Sequence, residues 1–167
     1  MPDEILLRFA GPDDASAIED VETRADALLI EALRPESWPD VEPGTARLAA
    51  HGFVLLADSG TEVVGFAHVL EIDGHAHLEQ LAVLPEYGRR GIGRALVDAA
   101  IETARGRGHT RMTLRTFADV PWNAPFYRSC GFVEEEPDSD FLRELVDVER
   151  RLGLLEIAPR VQLSRTL

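Results

Sequence analysis

Apolar residues recur along this chain in two rhythms. Short runs bounded by turn residues read as strands: Ile5 to Phe9, Phe53 to Ala57, Val63 to Leu70, His77 to Leu84 and Met112 to Phe117. Longer stretches repeat at helical spacing. Ile92, Ala95, Leu96, Ala99, Ala100 and Ala104 share one face, with Arg94, Asp98, Glu102 and Arg105 opposite, so a helix begins at Ile92 and ends at Gly106 and Gly108. An earlier helix starts at Pro12-Asp13-Asp14-Ala15, where acids complement the helix dipole, and runs to about Ala32. Between Arg34 and Gly44, Pro35, Pro39 and Pro43 around Trp38 predict a shaped loop, followed by a short helix over Thr45 to Ala50. Asp58-Ser59-Gly60-Thr61 and Asp73-Gly74 are hairpin turns. Towards the end come a short helix from Pro125 to Cys130, a brief strand from Phe132 to Glu134, a helix from Asp140 to about Leu152 and a terminal strand from Ile157 to Leu167. Strands first and strand–helix–strand units later predict an α/β (α+β) fold with a mixed central sheet.

The 167 residues fit a single domain, and 45% hydrophobic content allows a sizeable core. No apolar run is long enough for a membrane span. Met1-Pro2-Asp3-Glu4 lacks the basic-then-apolar order of a signal peptide, so a soluble, cytoplasmic chain is expected. The single cysteine, Cys130, excludes an internal disulfide and a multi-thiolate zinc site. A formal charge of −13 argues against a nucleic-acid partner. That charge is unevenly placed: Arg89, Arg90, Arg94, Arg105, Arg107, Arg111 and Arg115 fall between Tyr87 and Phe117 against only Asp98 and Glu102. A small polyanion has its landing place there, although the last four of these arginines read first as a solvated helix end and strand edge. Every basic residue is arginine. Without lysine the chain cannot be a P-loop nucleotide binder, a protein kinase or a Schiff-base enzyme.

Tyr87-Gly88-Arg89-Arg90-Gly91-Ile92-Gly93-Arg94 opens a helix directly after an apolar strand. A helix N-terminus offers unpaired N–H groups and a partial positive charge, and glycines at 91 and 93 let the backbone approach an anion. The same glycines would serve a tight turn that needs them only for its dihedrals; the flanking arginines favour the anion. A dinucleotide fingerprint does not fit. Leu96 stands where it wants a small residue, and Arg111 and Arg115 occupy the region where an acid is expected.

Together with Leu81-Ala82-Val83 and Phe126-Tyr127-Arg128-Ser129-Cys130-Gly131-Phe132, this turn resembles the acetyl-CoA signature of the GNAT-superfamily N-acetyltransferases, over Leu78 to Phe132. The resemblance implies a sheet splayed between the strands at about 77–84 and 112–117. It also implies a coenzyme A pyrophosphate on the backbone of Arg89, Arg90, Gly91, Ile92, Gly93 and Arg94, and a pantetheine arm along Leu81, Ala82 and Val83. It puts Tyr127 beside the sulfur, where a phenol of pKa near 10 can protonate a departing thiolate of about 8.5. Tyr127 reads otherwise as a core aromatic. By the same resemblance Glu79 is the general base, acting through water; alternation in a regular strand would put His75, His77 and Glu79 on one face, as a proton path or, less simply, a metal site. No metal is expected. The chain departs from the pattern at Gly88, in place of Gln or Arg, and at Val120, in place of the asparagine; Asn123 then either holds the pantetheine or caps the helix containing Pro125. Trp38 lines the acceptor pocket or anchors its loop, and Cys130 reads as an inert thiol.

The resemblance implies acetyl transfer from acetyl-CoA to a primary amine, on a small molecule or a peptide N-terminus, and the acidic surface favours a cationic acceptor. A homodimer is compatible with it. A silent acyl-CoA sensor and a transferase of longer acyl chains are the alternatives.

Overall fold

The computed structural model describes residues 4–167; the Met1-Pro2-Asp3 opening lies outside them. Seven strands form one sheet: β1 (Leu6–Phe9), β2 (Gly52–Asp58), β3 (Val63–Ile72), β4 (His75–Val83), β5 (Arg111–Phe117), β6 (Val133–Glu135) and β7 (Arg160–Thr166), in the order β1-β2-β3-β4-β5-β7-β6. All neighbours are antiparallel except β4 and β5. This is the mixed sheet the sequence predicts. β2 and β3 are buried almost without interruption, a pattern that requires cover on both faces. α1 (Ala15–Leu33) packs on β3 and β4, while α3 (Ile92–Gly106) packs on β2, β3 and β4 and buries Ile92, Leu96, Val97, Ala100, Ile101 and Ala104. The smaller helices are α2 (Gly44–Ala49), α4 (Ala124–Ser129), α5 (Asp140–Arg151) and α6 (Leu154–Ile157). No helix among the described residues is long and apolar enough to cross a membrane.

Two irregularities shape the centre of the sheet. β4 and β5 pair only over Ala76–Met112, His77–Thr113 and Leu78–Leu114. Past that point β5 continues its ladder with β7 alone, from Arg115–Gln162 to Phe117–Arg160, so the two strands part into a cleft. At the same level β4 carries a bulge: Val69 of β3 faces Leu78 and His68 faces Gln80, leaving Glu79 unopposed. The regular alternation expected for His75, His77 and Glu79 is therefore interrupted at Glu79. The terminal strand also differs from its expected bounds. Gly153, at φ 78°, turns the chain into α6, and β7 starts only after Pro159, which has no N–H to give a ladder.

The loop from Arg34 to Pro43 is held at both ends. Arg34 caps α1 in the left-handed conformation, and Gly44 begins α2 with its N–H donated to Glu19 Oε1 at 3.0 Å. Here α2 lies so close to α1 that a Cβ on Gly44 would sit 1.9 Å from the carbonyl oxygen of Ala15. Backbone on both sides leaves little room to yield. Gly44→Ala is expected to cost about 3 kcal/mol, read as a fall in Tm of roughly 10 °C; an unchanged melting curve would contradict this packing.

Candidate active site

A single cleft of about 1120 Å³ runs from the parted strands to the start of α3. At one end is the glycine turn. Arg89 (φ 62°) and Gly91 (φ 79°) are both left-handed, and Gly91 caps α3 without any side-chain hydrogen bond, so the first helical amides keep their donors open. A Cβ at Gly91 would meet no atom within 4 Å; glycine is needed there for its φ. A Cβ at Gly93 would lie 3.6 Å from Phe126 Cζ, which records how closely α4 lies beside the helix start. Arg94 ties the two helices from outside, donating to Ser129 Oγ at 2.9 Å. Arg89, Gly91, Ile92, Gly93 and Arg94 line the cleft, whereas Arg90 stacks its guanidinium on the Tyr87 ring at 4.9 Å and is absent from the lining. An open helix N-terminus with two arginines at the cleft fits a pyrophosphate.

Leu81, Ala82 and Val83 form the next stretch of the wall. They pair with Ala67, Phe66 and Gly65 on the β3 side and have no β5 partner on the other. Backbone groups facing the gap are thus available to an extended, amide-bearing ligand, which would lie there as an added strand.

Glu79 lies where the strands part. Its side chain is 37% exposed and lines the cleft, yet protein on the remaining sides limits its hydration. That burial raises its carboxyl above the ordinary range, against the opposing pull of Arg47. His77 Nε2 stands 3.6 Å from Glu79 Oε2, and His77 Nδ1 shares a 2.8 Å hydrogen bond with Thr113 Oγ1. Burial, and then the charge of Arg115, push the His77 imidazole down to about 3, so it is neutral beside the carboxylate. His75 instead packs its ring on Phe141 at 5.0 Å. Among the described residues no three His, Cys, Asp or Glu side chains gather as a metal site.

Tyr127 enters the cleft from α4, 9% exposed, with its ring edge-on to Phe126 and Phe132. It is a core aromatic whose edge reaches the cleft. Burial raises its phenol well above the usual value, followed by a smaller effect of Cys130, and so keeps it protonated. Asn123 stands at the N-cap position just before α4, but its side chain makes no capping bond; its Oδ1 accepts from Thr116 Oγ1 at 2.8 Å and from the Phe117 amide at 3.4 Å, tying α4 to the end of β5. Cys130 is 4% exposed and its thiol is raised by burial, as an inert thiol should be.

The far wall joins Trp38, which the sequence singled out, to Asp26, Arg47, Glu22, His68, Glu149 and Arg160, which it did not. Trp38 donates from Nε1 to Asp26 Oδ2 at 3.1 Å and leans on Phe117, so the proline-bound loop is both anchored and part of the lining. Burial raises Asp26, opposed by that hydrogen bond. Behind it Arg47 of α2 grips Glu22 of α1 through two bonds of 3.0 and 3.2 Å and donates to His68 Nδ1 at 3.0 Å, all three being nine-tenths or more buried. A guanidinium has no acceptor, so His68 carries its proton on Nε2. On the other side Arg115 and Arg160 share Glu149 of α5, at 2.7 and 3.0 Å. Burial would raise Glu149, but the hydrogen bonds and charges of Arg160 and Arg115 prevail and hold it below the ordinary carboxylate range. Arg115 is 8% exposed, which corrects its reading as a solvated strand-edge residue. Only a partner 34 residues away explains it.

The profile of the acetyltransferase (GNAT) family matches residues 19–132. A mycothiol acetyltransferase of Clavibacter sepedonicus is 32% identical over 145 residues, 86% of this chain and 47% of that protein. The chain thus spans about half the length of the first curated relatives it matches. An aminoglycoside N(6')-acetyltransferase type 1 of Stenotrophomonas maltophilia is 33% identical, covering 68% of this chain and 84% of its own. In fold, the chain is similar to the PaiA N-acetyltransferase of Thermoplasma acidophilum solved with coenzyme A, at a TM-score of 0.71 and 17% identity over 98% and 99% of the two chains.

The buried histidines make stability sensitive to acid. Burial, then the Arg47 charge, bring His68 down to about 4, well under its unfolded value of 6.5. Its contribution is therefore complete above about pH 6.5 and is lost as pH falls towards 4. Urea unfolding at pH 7, 6 and 5 is expected to show the native chain losing about 1.4 kcal/mol per pH unit more than His68→Gln below pH 6.5. Equal slopes would mean that His68 is not held neutral.

Proposed function

The chain belongs to the acetyltransferase (GNAT) family, and from that premise we propose that it transfers the acetyl group of acetyl-CoA to a primary amine by direct attack. The observation that carries the reading is the parting of β4 and β5 after Leu78–Leu114, which opens one cleft lined by the glycine turn, Glu79 and Tyr127 together. The turn and the free edge at Leu81 to Val83 match the two polar parts of coenzyme A, its pyrophosphate and its amide-bearing arm. The coenzyme A bound to the Thermoplasma acidophilum protein supports the same use here. Bound there, acetyl-CoA supplies an activated thioester.

The remaining work belongs to side chains. An amine arrives as an ammonium and must lose a proton before it can attack; Glu79, raised by burial yet open to the cleft, takes that proton through water. His77, neutral and fixed by Thr113, steadies the carboxylate without competing for the proton. Tyr127 stays protonated at neutral pH and gives its proton to the sulfur as it leaves. Asn123 holds the start of α4 against β5, which sets where Tyr127 stands.

Release of free thiol from acetyl-CoA over a panel of amines tests the assignment; coenzyme binding without thiol release from any amine would favour a silent sensor. Tyr127→Phe should lower kcat about 100-fold while leaving coenzyme affinity unchanged, and unchanged turnover with a good acceptor would remove Tyr127 as the donor. Because Glu79 must be ionised to act, kcat/KM of the native enzyme should rise with pH through a pKa above the ordinary carboxylate range. In Glu79→Gln that limb should disappear along with most of the activity; a limb that persists points to another base.

A further inference from the structure

One wall of the cleft is acidic. α1 and the loop after it bring Glu22, Asp26, Asp40 and Glu42 to the lining, and Glu79 meets them from the parted strand. Among the described residues Arg47 is the one cation that α1, that loop and α2 bring to the same lining. On the other side Arg115 and Arg160, from β5 and β7, converge on Glu149. Carboxylates gathered at one wall raise one another, because each negative charge disfavours the next. The charge on Glu79 at neutral pH thus turns on what opposes its neighbours.

Arg47 is held where it stands. Glu22 takes Nε and one N–H of Nη2, His68 Nδ1 takes one N–H of Nη1, and the guanidinium lies 5.9 Å over the Phe66 ring. These contacts fix it from α1 and from β3 together. His68 is paired with Gln80, the residue after Glu79, so the bond from Arg47 reaches the sheet at the level of the bulge. One N–H on each terminal nitrogen has no acceptor among the described residues, although Arg47 borders the cleft. Since His68 is neutral, Glu22 alone of these partners offsets the guanidinium charge. Burial raises Glu22, Asp26 and Glu79 alike, and the first opposing charge for each of them is Arg47. The other charges around Glu79 are divided: Glu42 and Glu149 act with burial, and Arg160, already held by Glu149, adds a smaller pull against it. His77, at 3.6 Å, is neutral and adds none.

From this arrangement, and resting on the acetyltransfer reading above, we infer that Arg47 is a positioning residue of the reaction: a counter-charge fixed at the level of the bulge, it keeps Glu79 a carboxylate, ready for the proton of the incoming ammonium. Arg47 neither touches the acetyl group nor takes a proton itself, because a guanidinium stays protonated. An arginine that only fastened α1 to β3 would matter for folding alone.

The pH profile of kcat/KM separates these two roles. In Arg47→Met the rising limb should move up by at least about one pH unit, so that activity is about tenfold lower below the limb and recovers above it. Arg47→Lys keeps the charge and should hold the limb near its native place, even where Tm falls. Glu22→Gln releases the Arg47 charge from its partner and should move the limb the other way, down. A limb that stays in place in Arg47→Met while kcat/KM falls at every pH overturns the inference. So does a limb displaced as far in Arg47→Lys as in Arg47→Met, or moved up in Glu22→Gln. Because Arg47→Met leaves Glu22 buried and unmatched, the double variant Glu22→Gln/Arg47→Met, which removes both charges, gives the same reading if the single variant does not fold; its limb should also move up. The base reading fails by a different sign: the limb persists in Glu79→Gln, or no amine releases thiol. The carboxyl resonance of Glu79, identified in protein with isotope-labelled glutamate by its loss in Glu79→Gln, then decides the inference by itself. A titration midpoint at least about one pH unit higher in Arg47→Met than in the native protein upholds it; an unchanged or lower midpoint overturns it.

Discussion

The parting of β4 from β5 is the constraint on which the molecule turns. A sheet normally satisfies both edges of an inner strand, because an unmet N–H or C=O in a protein interior costs as much as a lost hydrogen bond. Here β4 keeps β3 along its length but loses β5 after three pairs. The strands diverge just where β4 gains its extra residue, Glu79, and where β5 is left with β7 as its one partner. The helix that follows β4 also begins without a side-chain cap. Two sets of backbone donors and acceptors are left facing one cleft, and a ligand with both phosphate and amide groups would complete both.

Charge is then arranged to keep that cleft open. Arginines enter the walls from α2, β5 and β7, and each grips a carboxylate from another element. Such buried pairs contribute little net stability relative to apolar packing, but removing one member leaves the other stranded. They fasten α1 to α2 and α5 to the β5–β7 edge, so the cleft walls keep their separation without closing into a core. The planar, forked guanidinium suits this role better than an ammonium, since Arg47 reaches Glu22 and His68 at once.

Much of this was legible in the sequence, for identifiable reasons. Strands and helices follow hydrophobic period, which is local, and so is the glycine turn with its arginines. The bulge at Glu79 was not legible, because one extra residue in β4 is defined only by its partners on β3. Arg115 looks like any strand-edge arginine until Glu149 is placed beside it by α5, and Arg47 carries no mark of burial in its own segment. Asn123 was open between a coenzyme contact and a helix cap; it lines the cleft, but its Oδ1 goes to Thr116 rather than to the helix amides, a choice set by how α4 meets β5. Ile157 followed the apolar rhythm of a strand, but Gly153 and Pro159 bracket it into a short helix. What sequence reading missed are long-range pairings.

One consequence follows from the identity of the cations that line the cleft. Arg47, Arg89, Arg94, Arg115 and Arg160 all border it, and not one is a lysine. A guanidinium keeps its charge at any physiological pH and has no free lone pair to attack a carbonyl. An acyl thioester held among these walls therefore meets positive charge on several sides without meeting a side-chain amine. Such cations would hold anions while being themselves inert to acylation, so no lysine of the cleft would compete with an amine that enters from outside.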